Sequence, residues 1–410
     1  MKILLINKYL YPKGGAETYM LQLGEALQSR GHEVAYFGMD HEQRTAGNRV
    51  NAYVRSVDYH SGKLADKVRG ALCSIYSPEA RRKLRRVLED FQPDVCHLNN
   101  FHYQLTPAIL LEIRKWSWET GKNCRIFYTA HDSQLVCPNH LMRNPVNGEN
   151  CRQCLSGSFL PCVKGNCIHG SRARSLLGAV NAWYWNRSGV YRYLDGIFVP
   201  SWFLAEQLSA NPLLMEKIMV LPNFVRKPQS EEVPEKENYV LYFGRYSREK
   251  GIETLLQAAK MLPEIPFVFA GEGPLKEEIG KYSNVTDMGF LSGERLKTVI
   301  RQARFTVVPS ECFENCPYSV LESRLLGTPV LGAAIGGIPE LIRPGETGEL
   351  FESGNTEELK EKMEFLWQHP ENLRIYGKNG KKLPVPTPEQ YCEILEDYYQ
   401  GKRGKPWQGN

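Results

Sequence analysis

Short continuous apolar runs recur along the chain. They are separated by stretches in which apolar residues return every three or four positions. In the first half the runs fall at residues 3–7, 34–38, 95–98, 126–130, 197–200 and 218–222, and in the second half at 239–243, 267–270, 285–289, 305–308 and 330–332. Amphipathic stretches such as 17–30 and 80–90 lie between them. A strand apolar throughout is one buried on both faces, so its alternation with helices predicts parallel sheets covered by helices on both sides. Residues 226–238, RKPQSEEVPEKEN, are polar, proline-containing and aperiodic, and read as a linker. The predicted class is α/β: two Rossmann-like doubly wound domains facing a cleft, the first over 1–225 and the second over 239–385. Residues 386–410 contain a helical stretch at 389–399 that is expected to pack back on the first domain.

Composition agrees with this picture and narrows the function classes. A chain of 410 residues accommodates two domains. Apolar content of 42% and charged content of 24% are those of a soluble globular protein. The net charge of +5 is too small to imply a nucleic-acid partner. No run of about 18 apolar residues suggests a membrane span. The N-terminal apolar run, 3–6, is shorter than the roughly 7–15 residues of a signal-peptide core, so it reads as a first strand and the chain as cytoplasmic. The 11 cysteines are then expected as thiols, not as a disulfide framework.

The chemistry-bearing residues sit where predicted strands end. In the segment 309–333, PSECFENCPYSVLESRLLGTPVLGA, Pro317 stands at a first helical position and Gly327 at a helix stop. Glu314 then lies in the loop before that helix and Glu322 within it, at the ligand-binding edge of an α/β sheet. Gly14-Gly15-Ala16-Glu17 opens a helix after the first strand, where paired glycines and a helix N-terminus suit an anion. Gly244 and Arg245 end another strand, with Lys250 five positions after the arginine. A guanidinium fork and an ammonium on one loop can grip a diphosphate, although the pair alone is as well read as a solvated basic loop. Gly271-Glu272-Gly273-Pro274 and Gly336-Gly337-Ile338-Pro339-Glu340 supply further glycine turns suited to close backbone approach. His131-Asp132 closes the fourth strand, from which the imidazole is expected to face the cleft opposite Glu314 and donate a hydrogen bond.

In this order and spacing, FGRYSREKG, GEGP, PSECFENCPYSVLES, GTPV and GGIPELI resemble the retaining glycosyltransferases of family 4, with GGAE and AHD fitting as well. The resemblance covers nearly the whole chain. It implies the GT-B fold and transfer of a sugar from a nucleotide diphosphate with retained anomeric configuration. By that resemblance Glu322 would bind the ribose hydroxyls and Glu314 the hydroxyls of the donor sugar. Arg245 and Lys250 would hold the departing diphosphate, Gly15 would let the first helix approach it, and His131 would touch the donor near the reacting carbon. Gly244, Glu272, Cys316 and Pro317 belong to the same donor-binding set. No metal is implied for the chemistry. The implied setting is bacterial surface polysaccharide or glycoconjugate assembly, with a glycan or lipid-linked acceptor, at the inner membrane face. The alternatives are a nucleotide-sugar epimerase of the same fold and a zinc-stabilised nucleic-acid-binding protein.

Five cysteines, Cys137, Cys151, Cys154, Cys162 and Cys167, crowd residues 137–169, with His140 and His169 near them. The resemblance extends to a subset of these transferases with such an insertion. Cys151-x2-Cys154 and Cys162-x4-Cys167 suit a structural zinc, with an iron–sulfur cluster behind it; free thiols or disulfides are the plainer readings. The insertion is expected to wall the acceptor side. Two basic stretches suggest anionic lipid as a partner, or simply solvated helix faces. One holds Arg81, Arg82, Lys83, Arg85 and Arg86 after Lys63, Lys67 and Arg69. The other runs over 172–192 with Trp183, Tyr184 and Trp185.

Overall fold

The computed structural model describes residues 1–55, 64–227 and 236–402. Lys63, the side chains of Lys67 and Arg69, most of the predicted linker and the end of the tail lie outside the described residues. The chain divides into two compact units. One comprises Met1–Pro200, Leu204–Leu221 and the stretch from Pro388; the other comprises Ser201–Phe203 and Pro222–Thr387. No helix among the described residues is long and apolar enough to cross a membrane.

The first unit is built on six parallel strands: β1 (Lys2–Ile6), β2 (Glu33–Phe37), β3 (Val95–Leu98), β4 (Arg125–Thr129), β5 (Gly196–Val199) and β6 (Ile218–Val220). They run in the order β2-β1-β3-β4-β5-β6. The second unit repeats the plan with β7 (Val240–Phe243), β8 (Phe267–Ala270), β9 (Val285–Asp287), β10 (Phe305–Val308), β11 (Val330–Ala333) and β12 (Gly348–Phe351), ordered β12-β11-β10-β7-β8-β9. Every predicted apolar run is a strand, with ends agreeing to within two residues. Central strands such as β3, β5 and β10 are buried at every position, as sheets covered on both faces require. β12 was not anticipated, because its apolar content is confined to Leu350 and Phe351 beside a glycine turn; its register on β11 supplies what its sequence lacks.

Strand order reverses between β1 and β3 in the first unit and between β7 and β10 in the second. At such a point the loops leaving the carboxyl ends of neighbouring strands diverge and open a crevice. The predicted site residues of the second unit leave from β7 and β10, except Glu272, which follows β8.

The helix Pro388–Tyr399 belongs to the first unit and is fixed there by a buried polar chain. Tyr19 bonds Tyr391 at 2.8 Å and Thr129 at 3.1 Å. His97 bonds Thr129 through Nε2 at 2.7 Å, and Tyr399 through Nδ1. Burial holds the His97 pKa down to about 3, so the ring is neutral and offers one donor and one acceptor to these hydroxyls. At the rim, Arg30 forks onto Glu396 at 2.6 and 2.9 Å.

Candidate active site

Glu314 and Lys250 lie 64 positions apart and meet in the second unit. A single 3-10 turn, Arg248–Lys250, follows the loop from β7 and ends at Gly251. The loop from β10 is tied to it by backbone bonds, the amides of Glu311 and Cys312 both donating to the Glu249 carbonyl at 3.0 and 3.1 Å. Lys250 Nζ donates to Glu314 Oε1 at 2.5 Å, and Ser310 Oγ donates to the same oxygen at 2.7 Å. Burial opposes the lysine charge, yet Glu314 outweighs it, and the Lys250 pKa is raised. Its ammonium therefore stays charged at any physiological pH. Arg245 is exposed, and among the described residues no acid pairs with it. Gly244 before it sits at φ +148°, a backbone that a side chain rarely adopts.

The glycine turns also stand close against the backbone of neighbouring loops. A Cβ on Gly337 would stand 2.0 Å from the Asn315 carbonyl oxygen, and one on Gly336 would stand 2.3 Å from that of Glu314. The Gly337 amide donates to the Glu314 carbonyl at 2.6 Å. A Cβ on Gly271 would meet the Gly244 carbonyl oxygen at 1.9 Å. These residues let one loop clamp its neighbour, so their first task is to hold Glu314 and Arg245 in place. Glu340, in the same motif, accepts from the amides of Trp202 and Phe203, which belong to the second unit.

The helix Tyr318–Leu325 carries Glu322. Pro317 is its N-cap, in extended conformation at ψ 128°, not its first helical residue; the stop at Gly327, φ +75°, is where the pattern put it. Burial raises the Glu322 pKa to about 7, with Lys297 pulling the other way. No group among the described residues bonds its carboxylate. A half-buried carboxylate that no described protein group bonds is suited to a hydroxyl-bearing ligand. Cys316 contributes no accessible thiol: its side chain is buried, which raises the thiol pKa to about 12, and its carbonyl accepts from Asn223. Glu272 is exposed and 3.6 Å from Lys276.

In the first unit the carboxyl edge at the β1/β3 reversal carries a polar cluster. Asn7 Oδ1 accepts from the Asn100 amide at 2.8 Å, and its Nδ2 donates to the Tyr9 carbonyl at 2.7 Å and to Glu17 at 3.3 Å. Gly15 begins the helix Gly15–Ser29, and Glu17 in its first turn is buried. His131 Nε2 lies 2.9 Å from Asn99 Oδ1, and its ring packs edge-on to Tyr19 at 4.8 Å. Burial lowers the His131 pKa to about 3, so it serves as a neutral hydrogen-bonding group and does not shuttle protons near neutrality. Asn7, Asn99 and Glu17 had no signal of their own in the sequence beyond standing at strand ends or a helix start.

Residues 13–227, more than half of the chain, match the family described as Glycosyltransferase Family 4. The chain belongs to that family. Residues 224–383 match Glycosyl transferases group 1. Among curated relatives, the sulfoquinovosyl transferase SQD2 of Arabidopsis thaliana is 32% identical over 47% of this chain and 42% of its own. The uncharacterized glycosyltransferase MJ1607 of Methanocaldococcus jannaschii is 28% identical over 84% of this chain and 83% of its own. The chain spans about half the length of the first curated relatives it matches. Anabaena Alr3699/HepE, solved in complex with UDP and glucose, superposes with a TM-score of 0.62 at 16% identity, covering 93% of this chain and 94% of that one. This likeness carries the fold, GT-B, and the family match carries membership of Glycosyltransferase Family 4.

Two further expectations for this chain meet the structure outside the motifs. All five cysteines of 137–169 line one cavity, whereas His140 and His169 are exposed and do not. Among the described residues no three His, Cys, Asp or Glu side chains stand in a ready ligand arrangement. The basic helix Pro78–Phe91 spends charge internally. Arg81 bonds Glu112 at 2.6 Å, and Arg85 reaches Glu89, Glu112 and Glu119. These two arginines hold helices together and are not available to a surface.

Proposed function

We propose that this glycosyltransferase takes a sugar from a nucleoside diphosphate sugar and transfers it to an acceptor hydroxyl with retention at the anomeric carbon. The observation that carries the reading is the charged Lys250 bonded to Glu314, beside an unpaired Arg245, at the strand-order reversal of the second unit. Breaking the bond to a diphosphate builds negative charge on the leaving group, and fixed cations there stabilise the transition state more than the ground state. Arg245 offers a fork to two phosphate oxygens and Lys250 a point charge. Glu314, already engaged by Lys250 and Ser310, is a poor nucleophile and a good anchor for sugar hydroxyls. Glu322 is left for the ribose. Same-face departure and attack through an oxocarbenium-like state needs no covalent intermediate, which suits this set. That a structural neighbour binds UDP and glucose supports the donor class.

Purified protein incubated with UDP- and GDP-sugars should release the nucleotide diphosphate faster in the presence of glycan or lipid-linked acceptors. Arg245→Ala should slow this by about 10^2–10^3-fold. Unchanged rates in that variant, or acceptor-independent interconversion of sugar epimers, would refute the reading.

The acceptor side of the proposal is a lipid-linked glycan in bacterial surface polysaccharide assembly, met at the inner membrane face. The helix Arg172–Ser188 supports it. Leu176, Val180 and Trp183 are 54, 42 and 59% exposed and fall along one face, with Arg172, Arg174 and Arg187 exposed around them and no ion pair found for these arginines among the described residues. An apolar stripe rimmed by unpaired arginines complements an anionic bilayer, at ~1 kcal/mol per basic residue near the surface. The protein should sediment with phosphatidylglycerol vesicles and not with phosphatidylcholine vesicles. Equal binding by the Leu176→Glu/Trp183→Glu variant would exclude this face.

A further inference from the structure

We infer that Cys151, Cys154, Cys162 and Cys167 form a structural site for a single divalent ion of the zinc class. The first ground is convergence. The five cysteines of the insertion span 31 positions, yet they line one small cavity. None forms a disulfide.

The second ground is that the structure separates four cysteines from the fifth. Cys137 Sγ is occupied in donating to Asn139 Oδ1 at 3.0 Å. Asn139 in turn donates to the carbonyls of Arg143 and Cys167 at 2.6 and 3.2 Å, so Cys137 belongs to the scaffold around the cavity. Of the others, Cys154 and Cys162 are buried in the small core of the insertion and Cys167 packs against it.

The third ground is the surrounding charge and chain course. Four thiolates around Zn²⁺ leave a net charge of −2, and Arg143 and Arg152 line the same cavity. From the end of β4 to the 3-10 turn Gln153–Ser156 the chain has no helix or strand. Its satellite core is small, built on Cys154, Phe159, Cys162 and Ala179. Four residues other than glycine in this insertion, His140, Met142, Asn166 and His169, adopt positive φ. A segment with so little apolar packing and so much strained backbone needs a cross-link to hold one conformation.

The four sulfurs do not stand in a ready ligand arrangement, so binding would have to draw them together. The sulfurs supply the ordering and take no part in sugar transfer, so the site stands or falls apart from the proposed reaction.

Full-length protein purified under reducing conditions and given Zn²⁺, then desalted, should retain about one equivalent by elemental analysis. Co²⁺ in its place should show the visible bands of tetrahedral thiolate coordination. Cys154→Ser/Cys162→Ser should lose the metal, while Cys137→Ser and Cys73→Ser keep it. Should the double variant fail to fold, stripping the wild-type protein with a chelator gives an independent answer. It should lower the unfolding temperature, and Zn²⁺ but not Mg²⁺ should restore it. Retention below about a tenth of an equivalent, metal kept by the double variant, or iron with acid-labile sulfide in the native protein would each overturn the inference.

Discussion

Glu322 gives the donor site a pH signature that can be worked out in advance. Burial raises its pKa from 4.5 to about 7. Ribose hydroxyls donate to a carboxylate and gain far less from a carboxylic acid, so a nucleotide sugar should bind the ionised form. At pH 6, one unit below the pKa, roughly a tenth of these groups are ionised. Affinity should then be about tenfold weaker than at pH 8, ~1.4 kcal/mol, and about a hundredfold weaker at pH 5. The groups around it do not imitate this slope. Lys250 stays charged, the pKa of His131 lies far below the range, and the diphosphate diester of a nucleotide sugar does not titrate there. Glu322→Gln should bind about 10- to 100-fold more weakly at pH 8, the worth of a charged hydrogen bond, and its affinity should not vary with pH. The same shift acts on stability with opposite sign. Because the folded pKa is raised, the folded chain holds the proton more tightly, and stability is lost as pH rises from 4.5 through 7. The loss is at most ~3 kcal/mol by pH 8, and Glu322→Gln should be spared it. Isothermal titration with UDP-glucose and GDP-mannose, using whichever binds, measures the first effect, and thermal unfolding of both proteins at pH 5 and 8 the second. A wild-type affinity ratio below about twofold between pH 6 and 8, or a Glu322→Gln variant that keeps the slope, would refute the assignment.

Gly337→Ala should lower the unfolding temperature by forcing its Cβ off the Asn315 carbonyl, at a cost of about 1–3 kcal/mol, and should reduce transfer by displacing Glu314. Gly280→Ala, with open space around it, should do neither. Lys250→Gln should cut transfer by ~10^2-fold or more while leaving the fold intact by circular dichroism. Tyr399→Phe orphans His97 Nδ1 and should cost about 1–3 kcal/mol, read from denaturant unfolding of the first unit. Arg30 holds the Glu396 pKa down to about 2, so Glu396→Gln should be less stable than the wild-type chain above pH 4.5, and the two should converge as pH falls toward 2.

The period of the apolar pattern determined the α/β class and eleven of the twelve strands, because a strand covered on both faces must be apolar at every position. It also put Glu314 and Lys250 on loops at strand ends, since helix starts and stops are written locally in Pro317 and Gly327. What it left open needed contacts between residues far apart in the chain. β12 forms because β11 offers it a register. The glycines of GEGP and GGIPE look like ligand-cradling turns, and only the tertiary structure shows that they clear neighbouring backbone. Lys250 and Glu314 became a pair, Glu322 an acid without a partner among the described residues, and Arg81 and Arg85 internal struts, only once the sheet order had set their neighbours. Charge and burial are properties of place: the sequence by itself names the groups, and the fold decides which of them are spent on one another and which remain for a ligand.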